Sequence, residues 1–199
     1  LTFSIKLLVL TQAIFLAARR LKKYFAIIQK HLPLVDQDKF MQSTVNSNAS
    51  QAQALKYAIC MAGAHVDKYS SRERQFYKTA RYYIEQAELE AHSSVFWSLE
   101  AAQALILVAR YELTHINLPR ALITISRLDA LVSILQRRLD EKNPSDSISN
   151  IPQIDSSRKV EFRRTLFFAL SLKYRNVIAA QIHDDAESYL VSLPIMTIH

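Results

Sequence analysis

The sequence predicts an all-α fold, a single multi-helix domain of packed antiparallel helices, about six or more in number, with no sheet. Three observations carry that reading. The 199 residues include one glycine, Gly63, so the φ > 0 corners, bulges and tight turns of sheet proteins have almost nowhere to sit. Apolar residues recur at helical spacing along most of the chain. The breaks between those runs carry prolines and short serine or asparagine caps, which start and stop helices. A chain of this length buries about 70 % of the surface its unfolded form exposes and folds without disulfide or metal.

From Ser4 to His31, Ile5, Leu8, Ile14, Leu21, Phe25 and Ile28 fit one or two helices, stopped by Pro33. Gln42 to Ser50 is rich in Ser, Asn and Gln and is expected to be a loop, with Ser50 capping the next helix. Leu55, Ile59, Ala62 and Val66 then form a core-facing stripe. Ser70-Ser71-Arg72-Glu73 fits a capping box, in which Glu73 reaches back to the Ser70 backbone. The helix it opens carries Phe76, Ala80, Tyr83 and Ala87 on one side. After His92-Ser93-Ser94 a serine cap starts the run Trp97 to Leu113, near enough for an antiparallel pair. Asn117 and Pro119 open the next helix, with Leu122, Ile125, Leu128, Val132 and Leu135 in register. Residues 141–157 hold two prolines and five serines and are expected to be a polar surface loop or partly disordered insertion within one domain spanning 1–199. From Arg158 to about Ile182 the last helix places Phe162, Leu166, Leu170, Tyr174 and Val177 in register. The 189–199 tail receives no assignment. No repeat recurs at about 34 or 40 residues, although helices 94–113 and 119–139 would pass as one solenoid unit.

Several chemistries are excluded or disfavoured by residue usage. Phosphate-cradling GxGxxG and GxxxxGK[ST] loops need several glycines, and a serine-hydrolase elbow needs them too. The single cysteine, Cys60, sits between Ile59 and Met61 and reads as a packed thiol in a reducing compartment. Six histidines without a CxxC pair lack the spacing of a structural zinc site. His183-Asp184-Asp185-Ala186-Glu187 fits neither a metal phosphohydrolase pair, which needs further His and Asp ligands at helical spacing, nor an acidic diphosphate motif, which needs its third acid where Ser188 stands. The expectation is no catalytic, cofactor-binding or metal residue in this chain. The net charge of +7 is spread over Arg19-Arg20-Leu21-Lys22-Lys23, then Arg72, Arg74, Lys78 and Arg81, then Arg137-Arg138, then Arg158-Lys159 with Arg163-Arg164, and reads as solvated helix faces. Residues 1–18 are apolar, but Lys6 and Gln12 interrupt them and the basic run follows them, against both a membrane span and a secretory signal. A first residue of Leu rather than Met marks the chain as an expected piece of a longer protein. Tyr82, Tyr83, Phe96 and Trp97 are expected to fill core, with a ligand pocket as the alternative.

The order of motifs resembles the fungal-specific transcription factor domain, also called the middle homology region or xylanolytic-activator regulatory domain. Tyr24-Phe25, then His31-Leu32-Pro33-Leu34-Val35-Asp36 and Phe40, resemble its opening YF and H-x-P segment. Ala58-Ile59-Cys60-Met61-Ala62-Gly63-Ala64 is similar to its small-residue helix A-x-C-A-L-G-A. Tyr82-Tyr83 with Ala87 follow, then Ser98-Leu99-Glu100-Ala101-Ala102-Gln103-Ala104-Leu105 for S-x-E-T-V-Q-A-L, and Ala109-Arg110-Tyr111-Glu112-Leu113 for A-x-Y-E-L. Glu161-Phe162-Arg163-Arg164-Thr165-Leu166-Phe167-Phe168, then Arg175 and Leu193-Pro194, resemble E-x-R-R-R-L-F-W, D-R and a terminal L-P. Phe168 stands where Trp is usual, Tyr174 replaces the Asp before Arg175, and the G-R-P turn is missing.

The resemblance implies a nuclear regulatory module, not an enzyme, that controls transcription through protein contacts with the transcription machinery or co-regulators. It leaves room for a homodimer and a small-molecule inducer. DNA binding, with its zinc, is expected only through a six-cysteine cluster N-terminal to this chain, and no membrane partner is implied. Tyr24, Phe25, Pro33, Glu100, Gln103, Tyr111, Glu112, Glu161, Arg163, Arg164, Phe167, Phe168 and Arg175 are the motif positions, expected to be structural; Glu161 and Arg164 are i, i+3 on one helix, and Arg163, Arg164 and Arg175 are expected to pair with carboxylates from neighbouring helices, with an effector or partner contact as the alternative. The rival reading is a helical-repeat adaptor or scaffold unrelated to transcription.

Overall fold

A computed structural model describes residues 18–66, 70–90, 98–140 and 158–174; all regular structure among them is helical, and no strand occurs there. The expectations for 141–157, for Phe96 and Trp97, for Arg175, for the His183 acidic run and for the 189–199 tail lie outside the described residues.

Helix α1 covers described residues 18–31, with a π turn at Tyr24–Ile28, and ends at Leu32 before Pro33. The 32–36 segment then brings Leu32, Leu34 and Val35 into the core. Asp36 caps α2 (residues 37–44), accepting from the Asp38 and Lys39 amides at 3.1 and 3.2 Å. The expected loop therefore begins late: Phe40–Thr44 is a second π turn, held because Phe40 is buried against Phe25, with ring centroids 5.7 Å apart.

Helix α3 (Ser50–Val66) is the small-residue helix, with Ala52, Ala54, Ala58, Cys60, Gly63 and Ala64 all buried. Ser50 does not cap it as expected. Its buried hydroxyl donates to Glu90 Oε1 at 2.7 Å, while Ser47 Oγ accepts from the Ala49 amide at 3.2 Å, one turn earlier. Gly63 lies where α1 crosses: a Cβ there would sit 2.2 Å from the Arg20 carbonyl oxygen. This close approach, not a turn, explains the chain's one glycine.

Helix α4 (Ser70–Leu89) is the next described helix and packs against α3. Tyr77, Ala80, Arg81, Ile84 and Ala87 form its seam; Phe76 and Tyr83 flank it, packed on Tyr57, with Tyr83 stacked at 5.5 Å. Tyr82 is exposed, so it is not part of the filled core that was expected. Two members of the basic runs are likewise misplaced by the solvated-face reading, because Arg20 and Arg81 are buried.

Helix α5 (Leu99–His115) is capped by Ser98 Oγ, which accepts from the Ala101 amide at 3.1 Å, and is buried continuously from Ala101 to Ala109. It packs on α3, α4 and α6. Helix α6 (Leu118–Asp140) starts at Asn117, whose Oδ1 accepts from the Arg120 amide at 2.9 Å. Its seam is Ala121, Thr124, Ile125, Leu128, Leu131, Val132 and Leu135, whereas Leu122 is exposed. Helix α7 (residues 158–174) buries Phe162, Thr165, Ala169 and Leu172, leaving Leu170 and Tyr174 exposed against expectation. Four-residue steps advance about 400°, so the path 162, 166, 170, 174 drifts away from the seam by about 40° per step. A shallow groove between α6 and α7, lined by Ile125, Leu128, Val132, Ala169 and Leu170, is rimmed by the Asp129–Lys173 pair at 2.9 Å. Among the described residues no helix is long and apolar enough to cross a membrane.

Candidate functional site

Among the described residues, two buried polar clusters centred on α5 interrupt the apolar core. The first involves Gln103, 1 % exposed. Its Nε2 donates at 2.9 Å to the Leu34 carbonyl and at 2.9 Å to Glu161 Oε1. The same Glu161 oxygen accepts from the Asp36 amide at 3.1 Å, and Thr165 Oγ1 donates back to the Glu161 carbonyl at 3.0 Å. The 32–36 segment, which leaves the helical path at Pro33 and so has carbonyls and amides to satisfy, is thereby joined to α5 and α7. Glu161 turns inward to these neutral donors and not to Arg164, so the expected ion pair is not the interaction that holds it. Arg163 and Arg164 are exposed.

The second cluster surrounds Glu112, 0 % exposed. Tyr77 Oη donates to its Oε1 at 2.7 Å, and Thr124 Oγ1 donates to its Oε2. Arg120 Nε approaches to 3.5 Å and Arg81 Nη1 to 3.9 Å, the latter also donating to Thr124 Oγ1 at 3.1 Å. Arg120 lies over the Tyr77 ring, 5.8 Å from its centroid. Burial, and then the bond to Glu112, push the Tyr77 phenol well above its ordinary range. A buried carboxylate needs this many donors, since its desolvation otherwise costs several kcal/mol. Gln103 and Glu112 are nine residues apart, about two and a half turns, so they point to opposite sides of α5. One side holds the 32–36 segment and α7, and the other holds α4 and α6.

The remaining motif positions separate into two groups. Tyr24 is fully buried, edge-on to Phe25 at 5.1 Å. Glu100 pairs with Arg158 at 3.2 Å, joining α5 to the start of α7. Tyr111 packs between Tyr77 and His115. Phe168 is half-buried on the core, but Phe167 is 65 % exposed, so Phe167 is not the packing residue the motif suggested. Tyr77, Arg81, Arg120, Thr124 and Thr165 were missed as site residues. The available signal was that Tyr77, Arg81 and Thr124 fall on the apolar seams of their helices.

Cys60 is buried on α3, and burial pushes its thiol from 9.0 up to about 12. Such a thiol is a poor nucleophile at neutral pH. The shift also sets a pH dependence. Its folded value lies above the unfolded one, so its contribution is complete below about pH 9 and is lost as pH rises toward 12. Urea unfolding is expected to show about 1 kcal/mol of lost stability between pH 9 and pH 10 that Cys60→Ala does not show. In the first cluster, Glu161→Ala and Gln103→Ala are each expected to cost about 2 kcal/mol by leaving buried groups unpaired. The double variant should cost at least about 0.5 kcal/mol less than their sum in urea unfolding, and strict additivity would contradict the contact.

Residues 21–171 match the fungal specific transcription factor domain. The depudecin biosynthesis cluster-specific transcription activator of Alternaria brassicicola is 27 % identical over 159 residues, covering 74 % of this chain and 24 % of that protein. The pigment biosynthesis transcriptional activator of Monascus ruber is 26 % identical over 154 residues, covering 75 % of this chain and 28 % of that protein. The chain thus spans about a quarter of the length of these curated relatives. No solved structure matches. With the match running from α1 to α7 through both polar clusters, the chain belongs to the fungal specific transcription factor domain family.

Proposed function

We propose that this chain is the regulatory domain of a pathway-specific fungal transcription activator, acting in the nucleus without catalysis. The observation that carries the reading is the family match over 21–171, together with the similarity to two relatives named as transcription activators. The geometry is consistent with it. The polar motif residues Gln103, Glu112 and Glu161 are occupied in joining helices, which gives a rigid body whose outer faces are available for contacts with co-regulators or the transcription machinery. DNA recognition belongs to a separate zinc cluster in the full-length protein. The α6–α7 groove is shallow and encloses no room for a small molecule, unlike the concave pockets that hold ligands, so protein contact is favoured over inducer capture there.

The purified chain should bind duplex DNA only weakly, with affinity falling steeply as salt rises. In the full-length activator, deleting residues 21–171 should change reporter output while leaving DNA binding by the zinc cluster intact. Tight sequence-selective binding by the isolated chain, or unchanged output on deletion, would overturn the proposal.

A further inference from the structure

One constellation is invisible to local sequence spacing because its members come from three helices. His65 in the last turn of α3, Glu73 in the first turn of α4 and His115 at the end of α5 bring one ligand-capable atom each within 4.8 Å of one another. Glu73 is buried and its Oε1 lies 3.2 Å from His65 Nδ1. That separation is close to the roughly 3.3 Å edge between two ligands of a tetrahedral zinc with bonds near 2.0–2.1 Å. The carboxylate forms a buried floor, and the two exposed imidazoles form a rim open to solvent.

An ion pair between His65 and Glu73 would need one imidazole. The second is oriented by independent contacts. Thr114 Oγ1 donates to the Arg110 or Tyr111 carbonyl, at 3.1 and 3.2 Å, which leaves its oxygen to accept from His115 Nδ1–H. The unprotonated nitrogen of His115 is then Nε2. Tyr111 stacks flat on the same ring at 4.8 Å and 10°, and His65 meets it edge-on at 4.6 Å. Fixing a ring through a bond to its far nitrogen is how proteins prepare histidines as metal ligands.

We propose that His65, Glu73 and His115 form a binding site for a divalent cation of the zinc class, with water completing the coordination. Two imidazoles and one carboxylate suit Zn²⁺ and disfavour Mg²⁺ and Ca²⁺, which take oxygen ligands. A bound ion ties together the ends of α3 and α5 and the start of α4. Through Tyr111, which packs on Tyr77 at 5.1 Å, it also braces the Glu112 cluster. The inference is independent of the transcriptional reading and of any zinc in an N-terminal cluster, because it concerns these residues alone.

The test is calorimetric titration of the untagged, chelator-stripped 199-residue chain with Zn²⁺ at pH 7.5, with Co²⁺ absorption reporting the ligand field. One ion per chain with a Kd of about 1 μM or tighter is expected, and a melting temperature raised by about 5 °C or more at about 100 Kd. His65→Gln and His115→Gln change exposed residues, so the apo protein should keep its fold while each weakens binding by about 10-fold or more. Glu73→Gln should do the same, with some loss of apo stability. No stoichiometric binding by the wild-type chain would overturn the site. So would binding that survives in the His65→Gln/His115→Gln double variant, since it would then belong to the other four of the six histidines.

Discussion

Glu112→Ala is expected to cost about 3–5 kcal/mol, the penalty for removing one partner from a buried charged network. The truncation leaves the Tyr77 hydroxyl without its acceptor, Thr124 with only the Arg120 carbonyl at 3.3 Å, and the buried Arg81 guanidinium with only the half-exposed Glu85 at 3.6 Å as counter-charge. Against a total stability of about 5–15 kcal/mol for a domain, that loss brings the chain to the edge of folding. Glu112→Gln keeps the shape and one acceptor oxygen and should cost less. Urea midpoints at constant slope measure both. A loss under about 1 kcal/mol for Glu112→Ala, the scale of a surface pair, would show that the carboxylate does not organise these helices.

Gly63→Ala sets two effects against each other. Alanine is favoured over glycine inside a helix by about 1 kcal/mol, so an unobstructed position would be stabilised. Here the added carbon would lie 2.2 Å from the Arg20 carbonyl oxygen, a backbone atom with no rotamer to escape into. Helix α1 must retreat from α3, loosening Leu21 and Tyr24, both buried in the core. Overpacking of this kind costs about 1–3 kcal/mol and occasionally more, and the backbone contact places this case at about 3 kcal/mol. Thermal and urea unfolding of the variant should show the loss, and a more stable variant would mean that the helices do not touch there.

The helical class could be read from the sequence because its signals are local. One glycine, prolines at the breaks and caps such as Asn117 each act within a few residues, and they placed α3 to α6 close to where they occur. One local reading failed: Ser50 has the residue type of a cap but was drawn to a partner from another helix, Glu90. Seams were legible where the steps alternated between three and four residues. They drifted in α7, where Phe162 was extended by fours to Leu166, Leu170 and Tyr174, and the true buried line ran through Thr165, Ala169 and Leu172. The polar clusters were half legible. The resemblance marked Gln103, Glu112 and Glu161, but the partners of their side chains lie between 8 and 125 residues away in sequence. No periodicity reports such pairings. Arg81 shows the limit plainly: with Arg74 and Lys78 it reads as one basic surface, yet it is buried, because a guanidinium that meets Glu112 and Thr124 can leave water.

The opposed placement of Gln103 and Glu112 has a mechanical consequence. A slip of α5 by one turn, about 5.4 Å, along its neighbours would draw the buried Leu105, Ile106 and Val108 out of their places. The amide and the carboxylate forbid that slip, because each would be carried off its mates at the same moment on different flanks. The rod therefore has one longitudinal setting, and any force applied at its exposed end is passed on to its surroundings as motion of a locked unit, not dissipated as sliding.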